Sequence, residues 1–193
     1  MSHRDDLLEG AKECLKTKGY ARTTARDLVA ASGTNLSSIG YHFGSKEALF
    51  AAAFDQLFDE WTEQQVAAGQ ADPQADPLTR MAASWRELLD GMPDRAPLLL
   101  AFVESIGPSV RSPELRARLA QHFDASRTRV AEVVAESLPE DSGADPRVVA
   151  SFLMAVADGL MIQFLVDPEN TPTGEELIGS LGAALAAAFT PPA

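Results

Sequence analysis

Hydrogen-bonding side chains and one arginine are concentrated between positions 24 and 46. Arg26 can donate two parallel hydrogen bonds to a guanine, which is a frequent sequence-specific contact to DNA. Thr24 and Tyr41 can donate to phosphate oxygens, and Lys46 can place a positive charge beside one. These residue types at helical spacings favour nucleic-acid binding. They also fit an ordinary corner between two helices of an all-helical protein, and the helices that position them bear on this choice.

Three short helices with clear capping signals carry these residues. Thr24, with Asp27 three positions later, is typical of a capping box at a helix start. Gly33 can adopt the left-handed conformation that ends a helix, and Asn35 is a good N-cap for the next one. Ser45 then caps a third helix. A helix, a short turn with glycine and a second helix form the layout of a DNA-binding helix-turn-helix, although unrelated proteins share this shape.

The detailed order of residues resembles a known family. Gly19-Tyr20, Thr24, Gly33, Tyr41-His42-Phe43 and Ser45-Lys46-Glu47-Ala48-Leu49 are similar to the N-terminal domain of the TetR-type transcriptional regulators. The resemblance covers residues 4 to about 60. It implies a homodimer that binds a palindromic double-stranded DNA operator, as a repressor that a small molecule releases.

The resemblance also assigns expected roles within the helix-turn-helix. Leu36 can meet a thymine methyl or pack inward with Ile39, and these two alternatives stay open. Gly40 stands where an aromatic residue is usual in the family, and Leu36 replaces a frequent polar or basic residue, so the operator sequence cannot be transferred from relatives. The predicted DNA-binding residues are Thr24, Tyr41, His42 and Lys46 for the backbone, Arg26, Leu36, Ser37, Ser38 and Gly40 for the bases, and the cap Asn35.

The charge of the chain is strongly divided between its two parts. The 193 residues have a formal net charge of −12. Residues 1–50 contain seven Lys and Arg against six Asp and Glu, a net of +1, which leaves −13 for residues 51–193. All four lysines precede residue 47. We expect the acidic part to repel DNA, so that DNA approaches only the N-terminal face.

The composition and the motifs of the chain indicate its cellular location and exclude several kinds of chemistry. Cys14 is the only cysteine, so an intrachain disulfide is impossible; its position on an apolar helical stripe predicts a small buried hydrophobe. The sequence predicts no membrane span and no signal peptide, and therefore a cytoplasmic protein. It contains no catalytic or metal-binding motif, and we expect no enzymatic activity, no metal and no cofactor.

Helical periodicity with caps and breaks predicts an all-α fold of about nine helices. Residues 1–50 are expected to form the DNA-binding domain, which extends to about 61 along a linking helix from Ser45 to about 68. Residues 51–193 are expected to form a domain for ligand binding and dimerisation. Pro97 is expected to open an apolar sixth helix that ends at Gly107.

The last two helices are apolar on most of their circumference and contain many small residues. This composition fits either a core or a subunit interface, and we interpret it as an interface. The resemblance agrees, because TetR-type proteins dimerise through their last two helices. The predicted interface residues are Phe152, Val156, Leu160, Phe164, Ile178, Leu181, Leu185 and Phe189.

Aromatic and apolar residues on several helices of the second part fit either a ligand cavity or a plain core. The resemblance favours the cavity. The predicted ligand-binding residues are Trp61, Trp85, Phe102, His122, Phe123, Phe152 and Met154. Because the surrounding net charge is −13, we expect a largely apolar ligand that is neutral or cationic. The alternatives are a helical DNA-binding or scaffolding protein without a small-molecule ligand, and a small all-helical enzyme.

Overall fold

The structure is a computed structural model that describes residues 2–139 and 141–189. Within these ranges the chain forms nine α-helices and a 3-10 turn at Pro168–Asn170, with no β-strand. The predicted all-α class and helix count are confirmed. The helices are α1 (His3–Thr17), α2 (Ala25–Ser32), α3 (Leu36–Phe43), α4 (Lys46–Gln70), α5 (Pro77–Asp90), α6 (Met92–Arg111), α7 (Pro113–Ser137), α8 (Pro146–Val166) and α9 (Gly174–Phe189).

Helix α6 is longer than predicted. The sequence predicted a start at Pro97 and an end at Gly107, whereas the helix spans Met92–Arg111 and contains both Pro97 and Pro108. The prediction was wrong because each proline withdraws only one backbone donor from the helix. Burial of one face of the helix, including Leu99, stabilises the turns on either side of these missing bonds.

Helices α1, α2 and α3 pack with the first turns of α4 around one small core. The fully buried side chains are leucines at helical spacing and one aromatic ring, namely Leu7, Leu15, Leu28, Leu49 and Phe50. Each helix contributes only one apolar stripe, so the three short helices are stable because they bury these stripes against α4. This packing leaves the opposite faces of α2 and α3 in solvent.

Cys14 lies within this core, on the inner face of α1. Its side chain is 3% exposed, and burial raises the pKa of its thiol. The prediction that it is a small buried hydrophobe is confirmed. A thiol in this environment stays protonated at neutral pH and is a poor nucleophile.

Helix α4 connects this core to a second one. Its later turns pack against α5 and α7, while α5 also packs against α9, and α6 packs against α7 and α8. A row of aromatic rings runs along α4, with centroids 6.3 Å apart for Phe54 and Phe58 and 6.1 Å apart for Phe58 and Trp61. At the near end, Tyr20 packs 5.3 Å from Phe50. The predicted continuity of α4 between the two parts of the chain is confirmed.

Gly10 allows α1 and α2 to approach each other closely. A Cβ atom at this position would lie 2.8 Å from the backbone nitrogen of Ser32. That distance is shorter than any relaxed contact, and the obstacle is backbone rather than a flexible side chain. Gly40 on α3 differs, because a Cβ atom there would meet nothing within 4 Å.

We predict that Gly10→Ala lowers the free energy of unfolding by about 1–3 kcal/mol, since overpacking must push α1 and α2 apart. Urea denaturation monitored by circular dichroism measures this change. Gly40→Ala is the matched control, and its higher helix propensity should raise the free energy of unfolding by up to about 1 kcal/mol. Equal stability of the two variants would show that α1 and α2 are not in close contact at Gly10.

Candidate DNA-binding surface and ligand cavity

Caps and a left-handed glycine set the angle between α2 and α3. The Thr24 backbone N–H donates to Asp27 Oδ2 at 2.8 Å, and the Asp27 N–H donates to Thr24 Oγ1 at 3.3 Å. Gly33 has φ 64°, so it ends α2 in the left-handed conformation. Asn35 Oδ1 then accepts from the Ser38 N–H at 3.1 Å. The predicted caps and turn are confirmed.

The Asp27 carboxylate links α1 to α2. Hydrogen bonds from the Lys18 ammonium, and then from Thr24, lower the pKa of Asp27 well below its usual range. A carboxyl whose pKa is lower in the folded state stabilises the fold at any pH above its usual pKa. That stabilisation is lost as the pH falls through the lowered value. The position of α2 on α1 is therefore insensitive to pH across the physiological range.

Helix α3 has one buried and one exposed face. Ser38 and Ile39 are 7% and 5% exposed, while Leu36 is 55% and Tyr41 is 86% exposed. Leu36 therefore points outward and does not pack with Ile39. The prediction that Ser38 contacts bases is wrong, because its side chain is buried against the core. The outward face consists of Leu36, Ser37, Gly40 and Tyr41.

Arg26 extends from the exposed side of α2, beside this face in the helix-turn-helix. In the described part of the chain its guanidinium makes no hydrogen bond or ion pair. All five of its N–H donors are therefore available to a ligand. A planar donor that is exposed and uncommitted can make a bidentate contact to a guanine edge without first breaking a bond within the protein.

Lys46 is the first residue of α4 after the Ser45 cap, as predicted, and its ammonium is partly engaged within the protein. It is half-buried, and its ammonium donates to the backbone carbonyl of Thr23 at 3.0 Å. The same ammonium lies 5.8 Å and 5.7 Å from the ring centroids of Tyr20 and Phe50. The ammonium keeps two further N–H donors, so the phosphate contact of Lys46 stays a prediction. Lys46 holds the segment before α2 against the start of α4.

Two other predicted backbone contacts are also partly engaged. The Thr24 hydroxyl donates to Asp27 Oδ2 at 2.7 Å, so its proton is used within the cap. Asn35 uses its amide oxygen as the cap of α3, and its amide nitrogen stays exposed. His42 is half-buried, with its ring 4.8 Å from that of Tyr41 in an edge-on arrangement. Tyr41 is thus the most exposed donor among the four predicted backbone contacts.

We predict that Arg26→Ala weakens operator binding by about 1–3 kcal/mol, through loss of a bidentate base contact. Affinity for a scrambled duplex of the same length should be spared. Fluorescence anisotropy on both duplexes measures the difference. Lys16→Ala is the matched control, since it removes one positive charge from the exposed side of α1 and should change both affinities equally. Equal losses on the two duplexes for Arg26→Ala would remove Arg26 from the base-contacting set.

The second part of the chain contains a cavity of about 410 Å³ among α4, α5, α7 and α8. Its volume lies in the usual range for small-molecule sites. Most of its surface is apolar. The lining residues are Thr62, Gln65, Val66 and Gly69 from α4; Pro77, Arg80, Met81, Ser84, Trp85 and Leu88 from α5; Val130, Val133, Val134, Ser137 and Leu138 from α7 and the residue after it; and Val149, Leu153, Met154 and Ala157 from α8.

Two predicted ligand-binding residues, Trp85 and Met154, line this cavity. The prediction was wrong for Phe152, whose side chain is 67% exposed. Leu153 does line the cavity, and neighbouring residues of a helix point about 100° apart. Phe123 packs against the hydrophobic core and is not one of the residues around the cavity.

Trp61 belongs to the core between the two parts of the chain. It is 5% exposed, and the Arg95 guanidinium lies 5.1 Å from its ring centroid. Trp61 Nε1 is the one fully buried side-chain nitrogen or oxygen without a hydrogen-bond partner among the described residues. Trp61 lines neither this cavity nor the smaller one nearer the start of α4, so its predicted role in ligand binding needs correction.

Phe102 and His122 border that smaller cavity, which measures about 30 Å³. His122 Nδ1 lies 3.3 Å from Asp55 Oδ1. Burial raises the pKa of the nearby Asp158, and the interaction with His122 opposes that rise. A space of this size holds about one or two water molecules rather than an organic ligand. The prediction of ligand contacts for Phe102 and His122 is therefore wrong for the larger cavity.

Most of the residues that line the large cavity were not among the predicted ligand-binding residues. On α5 the lining residues include positions 77, 80, 81, 84, 85 and 88, a spacing of three and four that marks one helical face. This signal was present in the sequence. Only Trp85 of this set was predicted to bind ligand, because the same spacing also describes a face packed against another helix.

Helices α8 and α9 expose an apolar surface. Val148, Phe152, Ile162 and Val166 of α8 are 66%, 67%, 52% and 81% exposed, and Leu181 of α9 is 48% exposed. Within the described residues, α8 is also the one helix that is long and apolar enough, by length and composition alone, to cross a membrane. An apolar surface of this extent on a folded chain indicates a missing partner.

Several predicted interface residues do not reach that surface. Leu160 and Ile178 are 7% and 8% exposed, so the prediction was wrong for both, because they form the core of their own subunit. Val156 and Phe164 are half-buried. The side chains of Leu185 and Phe189 lie outside the described residues.

Comparisons with known proteins bear on both regions. A family model described as the C-terminal part of BetI-type transcriptional repressors matches residues 77–190. A model for bacterial regulatory proteins of the tetR family matches residues 7–53. The chain belongs to the TetR family of bacterial transcriptional regulators. The resemblance noted in the helix-turn-helix is thus confirmed, and the match to residues 77–190 includes α5, α7 and α8, three of the four helices around the cavity.

Some TetR-family relatives match nearly the whole chain, whereas others match only its N-terminal part. The transcriptional repressor Rv1474c of Mycobacterium tuberculosis is 29% identical over 190 residues, which covers 92% of this chain and 91% of that protein. The repressor AcnR of Corynebacterium efficiens is 42% identical, but over only 52 residues. The chain spans 28% of the length of that AcnR and 26% of the AcnR of Corynebacterium glutamicum.

Solved structures share the whole architecture. The multidrug binding protein EbrR, complexed with imidazole, has a TM-score of 0.68 at 26% identity and matches over 100% of this chain and 98% of its own. A transcriptional regulator from Rhodococcus sp. RHA1 has a TM-score of 0.76 at 19% identity, over 96% of each chain. The latter likeness concerns the fold alone.

Proposed function

We propose that this chain is a cytoplasmic, ligand-responsive transcriptional repressor. It binds a palindromic operator as a homodimer, and a small molecule in the second domain (residues 51–193) releases it from DNA. The observation that carries the proposal is the 410 Å³ cavity, which lies against α4. The first turns of the same helix pack in the core of the DNA-binding domain (residues 1–50). Family membership supports DNA binding. The likeness to EbrR, a multidrug binding protein, supports a small-molecule site in a fold of this kind.

The exposed surface of α8 and α9 supports the homodimer. Two copies of this surface can cover each other about a twofold axis, because a self-complementary interface buries the same residues on both subunits. Such burial also accounts for the hydropathy of α8 without a membrane. A twofold dimer presents two copies of α3, which fits a palindromic operator with half-sites about 34–36 Å apart.

We predict that Phe152→Asp converts the dimer to a monomer. The new carboxylate would be buried without a partner, at a cost of at least about 2 kcal/mol in each subunit. Sedimentation velocity at micromolar concentration measures the change, and operator affinity should fall with it. Val110→Asp is the matched control, since Val110 is 54% exposed on α6 and the variant should remain dimeric. A wild-type chain that sediments as a monomer would contradict the homodimer.

Three elements can transmit a change in the cavity to the DNA-binding domain. Helix α4 lines the cavity with Thr62 to Gly69 and begins at Lys46. The Ala21 N–H donates to Glu104 Oε2 of α6 at 3.1 Å. Arg118 of α7 donates from Nη1 to the Ala48 carbonyl at 3.2 Å. Movement of α4, α6 or α7 around a ligand would therefore shift the DNA-binding domain directly.

The direction of the response follows from relative affinities. A ligand shifts an equilibrium only if it binds one state more tightly than the other. Release from DNA thus requires tighter binding to the state whose two α3 helices are not at the operator spacing. A tenfold weakening of operator binding needs about 1.4 kcal/mol of such a difference.

We predict that Glu104→Ala loosens the connection between α6 and the DNA-binding domain. Hydrogen exchange of the Ala21 amide, measured by NMR, should become several-fold faster, because its carboxylate acceptor is lost. Glu114→Ala is the matched control on α7 and should leave that amide unchanged. Unaltered exchange in Glu104→Ala would show that this bond does not tie the two domains together in solution.

The function is tested by DNA binding in the presence and absence of the natural ligand. Protein purified from its own host, without added ligand, is analysed by native mass spectrometry for a bound small molecule. The recovered molecule is then added to protein bound to palindromic DNA selected from random sequence. Release of the DNA is the expected result. Selective DNA binding that no small molecule alters would support a helical DNA-binding protein without an inducer.

A further inference from the structure

The large cavity contains one ionisable group. Of the nineteen described residues that line it, Arg80 is the one that carries a charge, and the others are apolar or neutral. No carboxylate is among these lining residues, and Trp85 is their one aromatic side chain. The local charge of the cavity is therefore opposite in sign to the net charge of the domain that contains it.

The guanidinium of Arg80 is held near one end of the α5 face that lines the cavity. Its Nε donates to the Gly69 carbonyl at 3.1 Å, and Nη2 lies 3.7 Å from Glu136 Oε2. The Glu136 side chain is 58% exposed, whereas that of Arg80 is 21% exposed. Water therefore screens the Glu136 carboxylate more than it would screen a ligand carboxylate inside the cavity. Donors on the two terminal nitrogens remain available.

The hydroxyl groups around the cavity are already committed. Thr62 donates to the Phe58 carbonyl at 2.8 Å, Ser84 to the Gln65 carbonyl at 2.9 Å, and Ser137 to the Val133 carbonyl at 3.1 Å. Each hydroxyl has a single proton to donate. A ligand with an acceptor group would therefore find its strongest donor at Arg80.

The cavity extends away from Arg80 along an apolar path. On α5 the lining continues through Met81 and Trp85 to Leu88, which lies about 12 Å from Arg80 along the helix axis. Valines of α7 and Leu153 of α8 face the same space. The site thus has a cationic end and a long apolar body.

We propose that the cavity binds an amphipathic monocarboxylate, with the carboxylate paired to Arg80 and the apolar body directed toward Leu88. This inference rests on the proposed function and specifies its ligand. It revises the expectation of a neutral or cationic ligand, because the charge that meets the ligand in the cavity outweighs the screened charges of the distant surface.

Other ligand classes fit less well. A quaternary ammonium group is usually held by several aromatic faces or by a carboxylate, and here it would meet Arg80 and one tryptophan. A phosphorylated ligand needs several cations or convergent backbone donors. A neutral apolar molecule would fill the apolar body but would offer no acceptor to the remaining N–H donors of Arg80.

The experiment compares three probes with the same ten-carbon chain and different head groups: decanoate, decanol and decyltrimethylammonium. Binding to the full-length dimer at neutral pH, without DNA, is measured by isothermal titration calorimetry below the micellar concentration of each probe. Decanoate should bind at least about tenfold more tightly than decanol, through charge-assisted hydrogen bonds. Decyltrimethylammonium should bind most weakly.

Variants assign the preference to Arg80. Arg80→Gln should reduce the ratio of decanol to decanoate dissociation constants to near one, while decanol affinity stays the same. Glu136→Gln should strengthen decanoate binding and leave decanol unaffected, because Arg80 loses its competing partner. Arg86→Gln, on the exposed side of α5, is the matched control. Thermal unfolding checks that each variant folds.

The outcomes separate this inference from the function on which it rests. Two results would show that the ligand is not a monocarboxylate: decanol or decyltrimethylammonium binds as tightly as decanoate, or Arg80→Gln still prefers decanoate. In both cases the proposal that the cavity binds a small molecule is kept. If none of the three probes binds to the wild-type dimer, both the monocarboxylate and the cavity as a ligand site are overturned.

Discussion

Burial of one face of α4, from its first turn to Trp61, is the constraint on which both functional regions depend. Near its start, Leu49 and Phe50 are fully buried in the core that supports the helix-turn-helix. Farther along, Trp61 is buried between the two parts of the chain, and Gly69 borders the large cavity. Because one rigid helix contributes to both cores, neither region can rearrange without displacing the other.

The features predicted best from the sequence are those that depend on one residue and its nearest neighbours in the chain. The capping box at Thr24, the left-handed Gly33 and the cap at Asn35 were all predicted, because their chemistry is settled within three or four residues. The helix count and the continuity of α4 followed from the same signals. Prolines were less reliable guides to helix ends, as Pro97 and Pro108 show inside α6.

The orientation of individual side chains in the site could not be predicted as well. Ser38, Leu160 and Ile178 have residue types suited to a contact surface, but tertiary packing turns all three inward. Phe152 was assigned to both the cavity and the interface, and its exposure removes it from the cavity. Arg80 was missed because its position at the cavity depends on the Gly69 carbonyl, eleven residues earlier on another helix.

Helix α8 has two functional faces in this arrangement. Val149, Leu153 and Ala157 line the ligand cavity, while Val148 and Phe152 lie on the surface proposed for the dimer. The two faces are separated only by the width of a helix, about 10 Å. A ligand that tilts α8 in one subunit would therefore strain or relieve the interface seen by the other. Ligand binding at the two cavities of a dimer would then be coupled, and the response to ligand concentration would differ from that of two independent sites: steeper if the first ligand relieves the interface for the second, shallower if it strains it.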